Sequence, residues 1–140
     1  MIHFFNQDID FEISNSKIIS NWIISTFQSE NKNQEIELSI IFNSDEALLE
    51  VNQQFLNHDY YTDIITFTLE DTDDLLEAEL YISIDRIKDN AALLKKSFEE
   101  ELHRVIIHGV LHLCSYKDKT DDEAKIMRKK EDEYLKKLSL

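Results

Sequence analysis

Two histidines, His108 and His112, stand four residues apart, and the chain's only glycine, Gly109, follows the first. At that spacing both imidazoles leave the same helix face, with Cβ atoms about 5–6 Å apart. Both can reach one ion, and zinc accepts neutral imidazole at about 2.0–2.1 Å. A straight helix cannot curl round the ion, so a third ligand must come from elsewhere. The helical pattern stops near Cys114 and Ser115, and Asp118 lies a short turn beyond. A carboxylate there completes three protein ligands with one open position, the arrangement of a catalytic zinc site. The same spacing also fits two ordinary histidines. The apolar residues around them favour the metal, because buried imidazoles need partners and one ion serves both.

Two reactions suit such a site. In the zincin protease motif H-E-x-x-H a glutamate follows the first histidine and acts as base. Gly109 holds that position here, which weighs against a protease. The other reaction is attack of a metal-activated water on a phosphodiester, the metal lowering the water pKa to about 7. Arg104 lies one helical turn before His108 and is a candidate phosphate contact; a salt bridge to Glu100, Glu101 or Glu131 is its structural alternative. Thr62 and Asp63 open a strand after the polar loop HDYY and are candidate substrate-binding residues, or else strand-entry turn chemistry. Tyr60 and Tyr61 are candidates for base stacking. Lys95, Lys96, Lys117 and Lys119 could track phosphates or simply be solvated. His3, His58 and His103 have no spacing logic and read as structural or surface residues. Cys114, on an apolar face, reads as an inert thiol.

The elements that must hold these residues follow from periodicity. Ile2 to Phe5 is a short strand. Ile18, Ile19, Trp22, Ile23 and Phe27 recur at helical spacing. Ile36, Leu38, Ile40 and Phe42 alternate as a strand, and the run 43–46 offers capping chemistry for a helix striped by Leu48, Val51 and Phe55. Residues 63–69 and 79–84 alternate as two strands able to pair as a hairpin, with the acidic segment 70–79 read as the loop between them. Asp85 is a candidate cap for a helix striped by Ile87, Ala91 and Leu94. Residues 98–114 are apolar around most of a helix, as expected of one buried centrally. Thr120 to Glu123 is a capping box opening a last helix. The order β-α-β-α-β-β-α-α-α predicts an α+β domain over 1–140. In it a mixed sheet of about four strands packs with about five helices around a central metal-binding helix.

The chain has 140 residues, 42% of them hydrophobic, enough for one core. No apolar run approaches the roughly 20 residues of a membrane span. The opening MIHFFNQDID lacks the regions of a signal peptide, and a single cysteine suits a reducing compartment, so the expected location is cytoplasmic. Net charge is −14, which argues against broad electrostatic binding to nucleic acid. With no proline, turns must come from Asn, Asp and Ser.

Residues 108–118 resemble the H-G-x-L-H-L-x-G-Y-D-H block of the YbeY family of bacterial rRNA-maturation endoribonucleases. Residues 62–67, TDIITF, are similar to its T-D-V-L-S-F strand, and Met127 and Glu131 to its M-x-x-x-E; Ala78-Glu79-Leu80 is a weaker match to its G-D-I. The likeness runs from about Val51 to the end. It implies a zinc-dependent, single-strand-specific endoribonuclease with one zinc on His108, His112 and Asp118. It also implies a role in rRNA maturation and ribosome quality control, with the small ribosomal subunit and assembly factors as partners. Three departures stand out. Asp118 replaces the family's third histidine, Ser115 its second glycine, and Leu56 an arginine thought to hold or cleave RNA. The last leaves room for a non-catalytic or weakly catalytic ribosome assembly factor with a structural metal.

Overall fold

The computed structural model describes residues 1–140, in the order β1 (Ile2–Asn6), α1 (Ser16–Ser29), β2 (Glu35–Asn43), α2 (Asp45–Leu56), β3 (Ile64–Asp71), β4 (Leu75–Ser83), α3 (Ile84–Leu94), α4 (Phe98–Leu113) and α5 (Asp121–Lys137). This is the expected α+β architecture. The four strands lie in the order β1-β2-β4-β3. β1 and β2, and β2 and β4, run parallel, while β3 and β4 form the antiparallel hairpin.

Strand alternation divides the sheet into two faces. Ile36, Leu38, Ile40 and Phe42 of β2 and Leu76, Ala78, Leu80 and Ile82 of β4 point into the main core with α1 and α4. Ile65, Phe67 and Tyr81 have the opposite parity and meet Leu48 and Val51 of α2 on the other face. α4 lies against the sheet and is flanked by α1, α3 and α5. Leu102, Val105, Ile106, Ile107, Val110, Leu111 and Leu113 are all buried on it, so it is the central helix its composition predicts.

Three local expectations need correction. The acidic segment 70–79 is mostly strand, and only 72–74 turn between β3 and β4. Acidic residues do not prevent this, because Leu76 and Ala78 point inward while Glu77 points out. The cap of α3 is Ser83, whose side chain accepts from Arg86 N; Asp85 lies inside the first turn and its Oδ2 accepts from Asp45 N. Phe55 is not part of a buried stripe. It is 67% exposed and meets Phe67 edge-on at the rim of the sheet.

Other ends follow the sequence. Thr120 and Glu123 form the capping box of α5, and Ser97 and Glu100 form one on α4. Left-handed backbone falls on Asn15, Asn31, Asn57, Ser115 and Lys95. Three are asparagines, which tolerate that region.

Gly109 has no positive φ, so its value is not backbone freedom. It is buried against β3 and β4. A Cβ there would sit 2.7 Å from Ile64 Cδ1 and 3.0 Å from Leu80 Cδ2. The missing side chain lets α4 press close to the hairpin.

Candidate metal centre

The site forms where α4 ends and the chain reverses. Ser115 N donates to the His112 carbonyl at 3.0 Å and Tyr116 N to the Leu111 carbonyl at 3.1 Å. With Ser115 at φ 77°, this is a Schellman ending. Its left-handed position is normally glycine, because a Cβ there costs about 1–2 kcal/mol. The reversal explains why the resemblance puts a glycine at 115. Ser115→Gly is expected to raise the melting temperature by a few degrees, roughly 1 kcal/mol, in thermal unfolding. An unchanged or lowered midpoint would mean that the serine is not strained.

The turn has two consequences for His112. The Tyr116 carbonyl accepts from Nδ1 at 2.9 Å, and Asp118 comes back toward the helix. His108 is oriented from α5, where Glu131 Oε2 accepts from its Nδ1 at 2.7 Å. A carboxylate and a carbonyl only accept, so each takes the Nδ1 proton. In the neutral form, which a metal requires, each ring therefore presents its Nε2 lone pair. The two Nε2 atoms stand 3.0 Å apart, with Asp118 Oδ2 at 3.2 Å from His108 and 3.4 Å from His112. Three acceptors thus converge with no donor among them. Tetrahedral zinc with bonds of about 2.0–2.1 Å sets its ligand atoms about 3.3 Å apart. The measured separations bracket that value, and the donor set of two imidazoles and a carboxylate suits zinc. All three predicted ligands are brought together.

Arg104 does not face the site freely. It donates to Glu131 Oε1 at 2.8 Å and to Asp132 Oδ1 at 2.7 Å. Of the alternatives raised for it, the Glu131 pair is the one formed. Arg104 still lines a cavity of about 330 Å³ with His108 and Asp118. Glu131 is buried, yet its carboxyl lies below the usual range. Burial opposes the charge, but the hydrogen bonds from His108 and Arg104 outweigh it. For the same reason His108 is raised: burial works against the cation, and Glu131, then Asp118 and Asp63, overcome it.

A second recess of about 670 Å³ also opens on the ligands, with His108, His112 and Asp118 in its wall. Thr62, Tyr60, His58, Leu56 and Lys119 line it, and His108, Asp118, Asp63 and Ile64 line both cavities. Thr62 and Asp63 therefore do border the site. Leu56 faces the recess at the position where the resemblance places an arginine. Asn52, buried in α2, shapes this wall by donating to the Tyr60 carbonyl at 2.9 Å. Tyr61 stands under the Arg86 guanidinium, 5.5 Å from it. Of the four lysines only Lys119 reaches either cavity.

His3 pairs with Glu37, and His103 is buried edge-on to Trp22, as structural residues. His58 stacks on Tyr60 and borders the second recess, a placement its spacing did not signal. Cys114 is inert: burial pushes its thiol up to about 12. Two supporting groups had no signal for their role on the histidines. The Tyr116 carbonyl is backbone, and Glu131 was visible only as a salt-bridge partner for Arg104 and as part of the M-x-x-x-E likeness.

No helix of the chain is long and apolar enough to cross a membrane. The sequence profile described as Endoribonuclease YbeY matches residues 1–139. A protein named Endoribonuclease YbeY from Flavobacterium psychrophilum is 52% identical over 132 residues, 94% of this chain and 93% of that protein. One of the same name from Cytophaga hutchinsonii is 47% identical over 134 residues, 96% and 93% of the two chains. A solution structure of a Thermotoga maritima protein is similar at 30% identity with a TM-score of 0.64, covering 99% of this chain and 89% of that one. With almost its whole length matched, and its histidines and returning loop placed as that resemblance requires, this chain belongs to the Endoribonuclease YbeY family.

Proposed function

We propose that the protein is a zinc-dependent, single-strand-specific endoribonuclease acting in rRNA maturation and ribosome quality control. The observation that carries this reading is the convergence of His108 Nε2, His112 Nε2 and Asp118 Oδ2 at separations of 3.0–3.4 Å, with two cavities that share His108 and Asp118 in their walls. A strand can cross such a site and continue beyond it, as internal cleavage requires. One zinc held there supplies a Lewis acid for water and for a phosphate oxygen.

The chain's own residues do the rest. Glu131 and the Tyr116 carbonyl fix the ring tautomers, so that both Nε2 atoms remain acceptors. Thr62 and Asp63 border the path of the substrate, and Tyr60 and Lys119 offer a stacking face and a cation along the second recess. Arg104 holds positive charge at the wall of the first cavity, where it steadies a phosphate while paired to Glu131. The local character of these cations reconciles RNA with a net charge of −14. The small ribosomal subunit, assembly factors and a cytoplasmic location complete the proposal.

Leu56 favours a second reading, a ribosome assembly factor with weak or no catalysis. It puts an apolar side chain on the recess where the resemblance implies an arginine. Incubation with single-stranded RNA separates the two. Cleavage is expected, abolished by a chelator and by His112→Ala, with duplex RNA of the same sequence spared. Zinc-loaded protein that leaves RNA intact yet co-purifies with small subunits would replace the enzyme by the assembly factor.

A further inference from the structure

The first cavity holds two carboxyls that the metal centre does not use. Glu101 lies on α4 two turns before His108, and Asp63 lies at the entry to β3; both line the cavity. Glu101 is only 5% exposed, and its Oε1 is buried without a hydrogen-bond partner. Asp63 has one weak side-chain donor, Asn90 Nδ2 at 3.5 Å, beside backbone N–H groups of its own residue and Ile64. The nearby arginines are committed elsewhere. Arg104 pairs with Glu131 and Asp132, Arg86 pairs with Asp45, and the exposed Arg128 reaches only Glu131. A buried acceptor without a partner is costly, and two such carboxyls repel each other when charged. Burial raises the pKa of both and Asp63 raises Glu101 further; this outweighs the opposing charges of Lys96, Arg104 and Arg128 on Glu101, and of His108 and Arg86 with the backbone hydrogen bonds on Asp63.

We propose that Asp63 and Glu101 together hold a second cation, a hard divalent ion of the magnesium class, in the cavity beside the histidine site. The donors there are oxygens alone, which suit magnesium or manganese and not zinc. Magnesium keeps several of its waters and is commonly held by one or two carboxylates, so a third protein ligand is not needed. A cavity of about 330 Å³ has room for the ion and several waters of about 30 Å³ each. The ion adds positive charge directly beside the pair and gives the Glu101 carboxylate a partner. Its binding does not depend on which substrate the protein cleaves.

The test is a titration of the zinc-loaded full chain with Mn²⁺, followed by loss of the free-ion paramagnetic resonance signal, with Mg²⁺ as competitor. Manganese forms weaker complexes than zinc and leaves the histidine site occupied, which zinc analysis before and after verifies. One Mn²⁺ per chain is expected, displaced by Mg²⁺. Glu101→Gln and Asp63→Asn should each weaken it at least about tenfold, the loss that even a supporting hydrogen bond produces, with zinc content unchanged. His112→Ala should keep the Mn²⁺. Wild-type protein that takes up none would overturn the proposal and leave a proton shared by the two carboxyls. Equal uptake by both carboxyl variants, or loss in His112→Ala, would also overturn it by placing the ion elsewhere. Should Glu101→Gln fail to fold, the wild-type titration and Asp63→Asn, at a half-buried position, still decide.

Discussion

His108→Ala is expected to emerge from purification without zinc, against about one zinc per wild-type chain by elemental analysis. Asp118→Ala is expected to retain a measurable fraction. The difference arises from what holds each ligand. His108 is carried by a helix buried on most sides and is clamped by Glu131 at 2.7 Å, so its Nε2 is fixed before any ion arrives. Its removal leaves one imidazole and one exposed carboxylate, too few to compete with a chelator. Asp118 sits on an exposed loop, its side chain 39% accessible, and water can occupy its place with less loss. Since the His108 side chain is itself 24% exposed, its truncation should spare the fold, and near-native circular dichroism is expected alongside the missing metal. Full zinc occupancy in His108→Ala would remove the proposed site.

Glu131→Ala should have the largest effect on stability. Its side chain is 5% exposed and accepts from both Arg104 and His108, tying α5 to α4. Removing one member of a buried charged network strands the other; here Arg104, 16% exposed, would keep only Asp132. Such losses run to about 3–5 kcal/mol, which for a chain of this size is a drop of about 10–15 °C in melting temperature. Glu131→Gln keeps the volume and should lose less stability. Zinc affinity should nevertheless fall about 10–100-fold in competition with a chelator, because the His108 N–H loses its carboxylate.

A pH dependence accompanies this. The folded pKa of Glu131 is depressed, so its contribution is present above the ordinary carboxylate range and disappears as pH falls through the folded value. The apo wild type should lose stability in acid more steeply than Glu131→Gln does. A Glu131→Ala protein with wild-type melting and zinc affinity would show that the α4–α5 network holds neither fold nor site.

Much of this site is legible in the sequence, for identifiable reasons. His108 and His112 announce themselves because helical spacing converts sequence distance into shared direction. Asp118 follows because the apolar pattern ends just before it. The strands and helices appear through alternation at β2 and the stripe of α1. The acidic run 70–79 misleads because charge suggests solvent, whereas a strand needs only every second side chain to be apolar. Ser83 rather than Asp85 caps α3 because the strand runs directly into the helix. The Tyr116 carbonyl is invisible because every residue carries one, and only the left-handed step at Ser115 aims it at His112. Glu101 reads in the sequence only as a salt-bridge alternative for Arg104. Its burial in a cavity shared with Asp63 depends on how the hairpin docks, which local pattern does not encode.

The docking of α4 on the hairpin also closes a route between two chemistries. A side chain at Gly109 would run straight into Ile64 and Leu80. A glutamate introduced there would be driven into the sheet and could not reach a substrate as a base. The step from this histidine pair to a peptidase is therefore more than one codon long. The hairpin would have to retreat from the helix first, and Ile64, which walls both cavities, would move with it. Selection for a new reaction at this metal would meet the packing of the sheet before it met the chemistry.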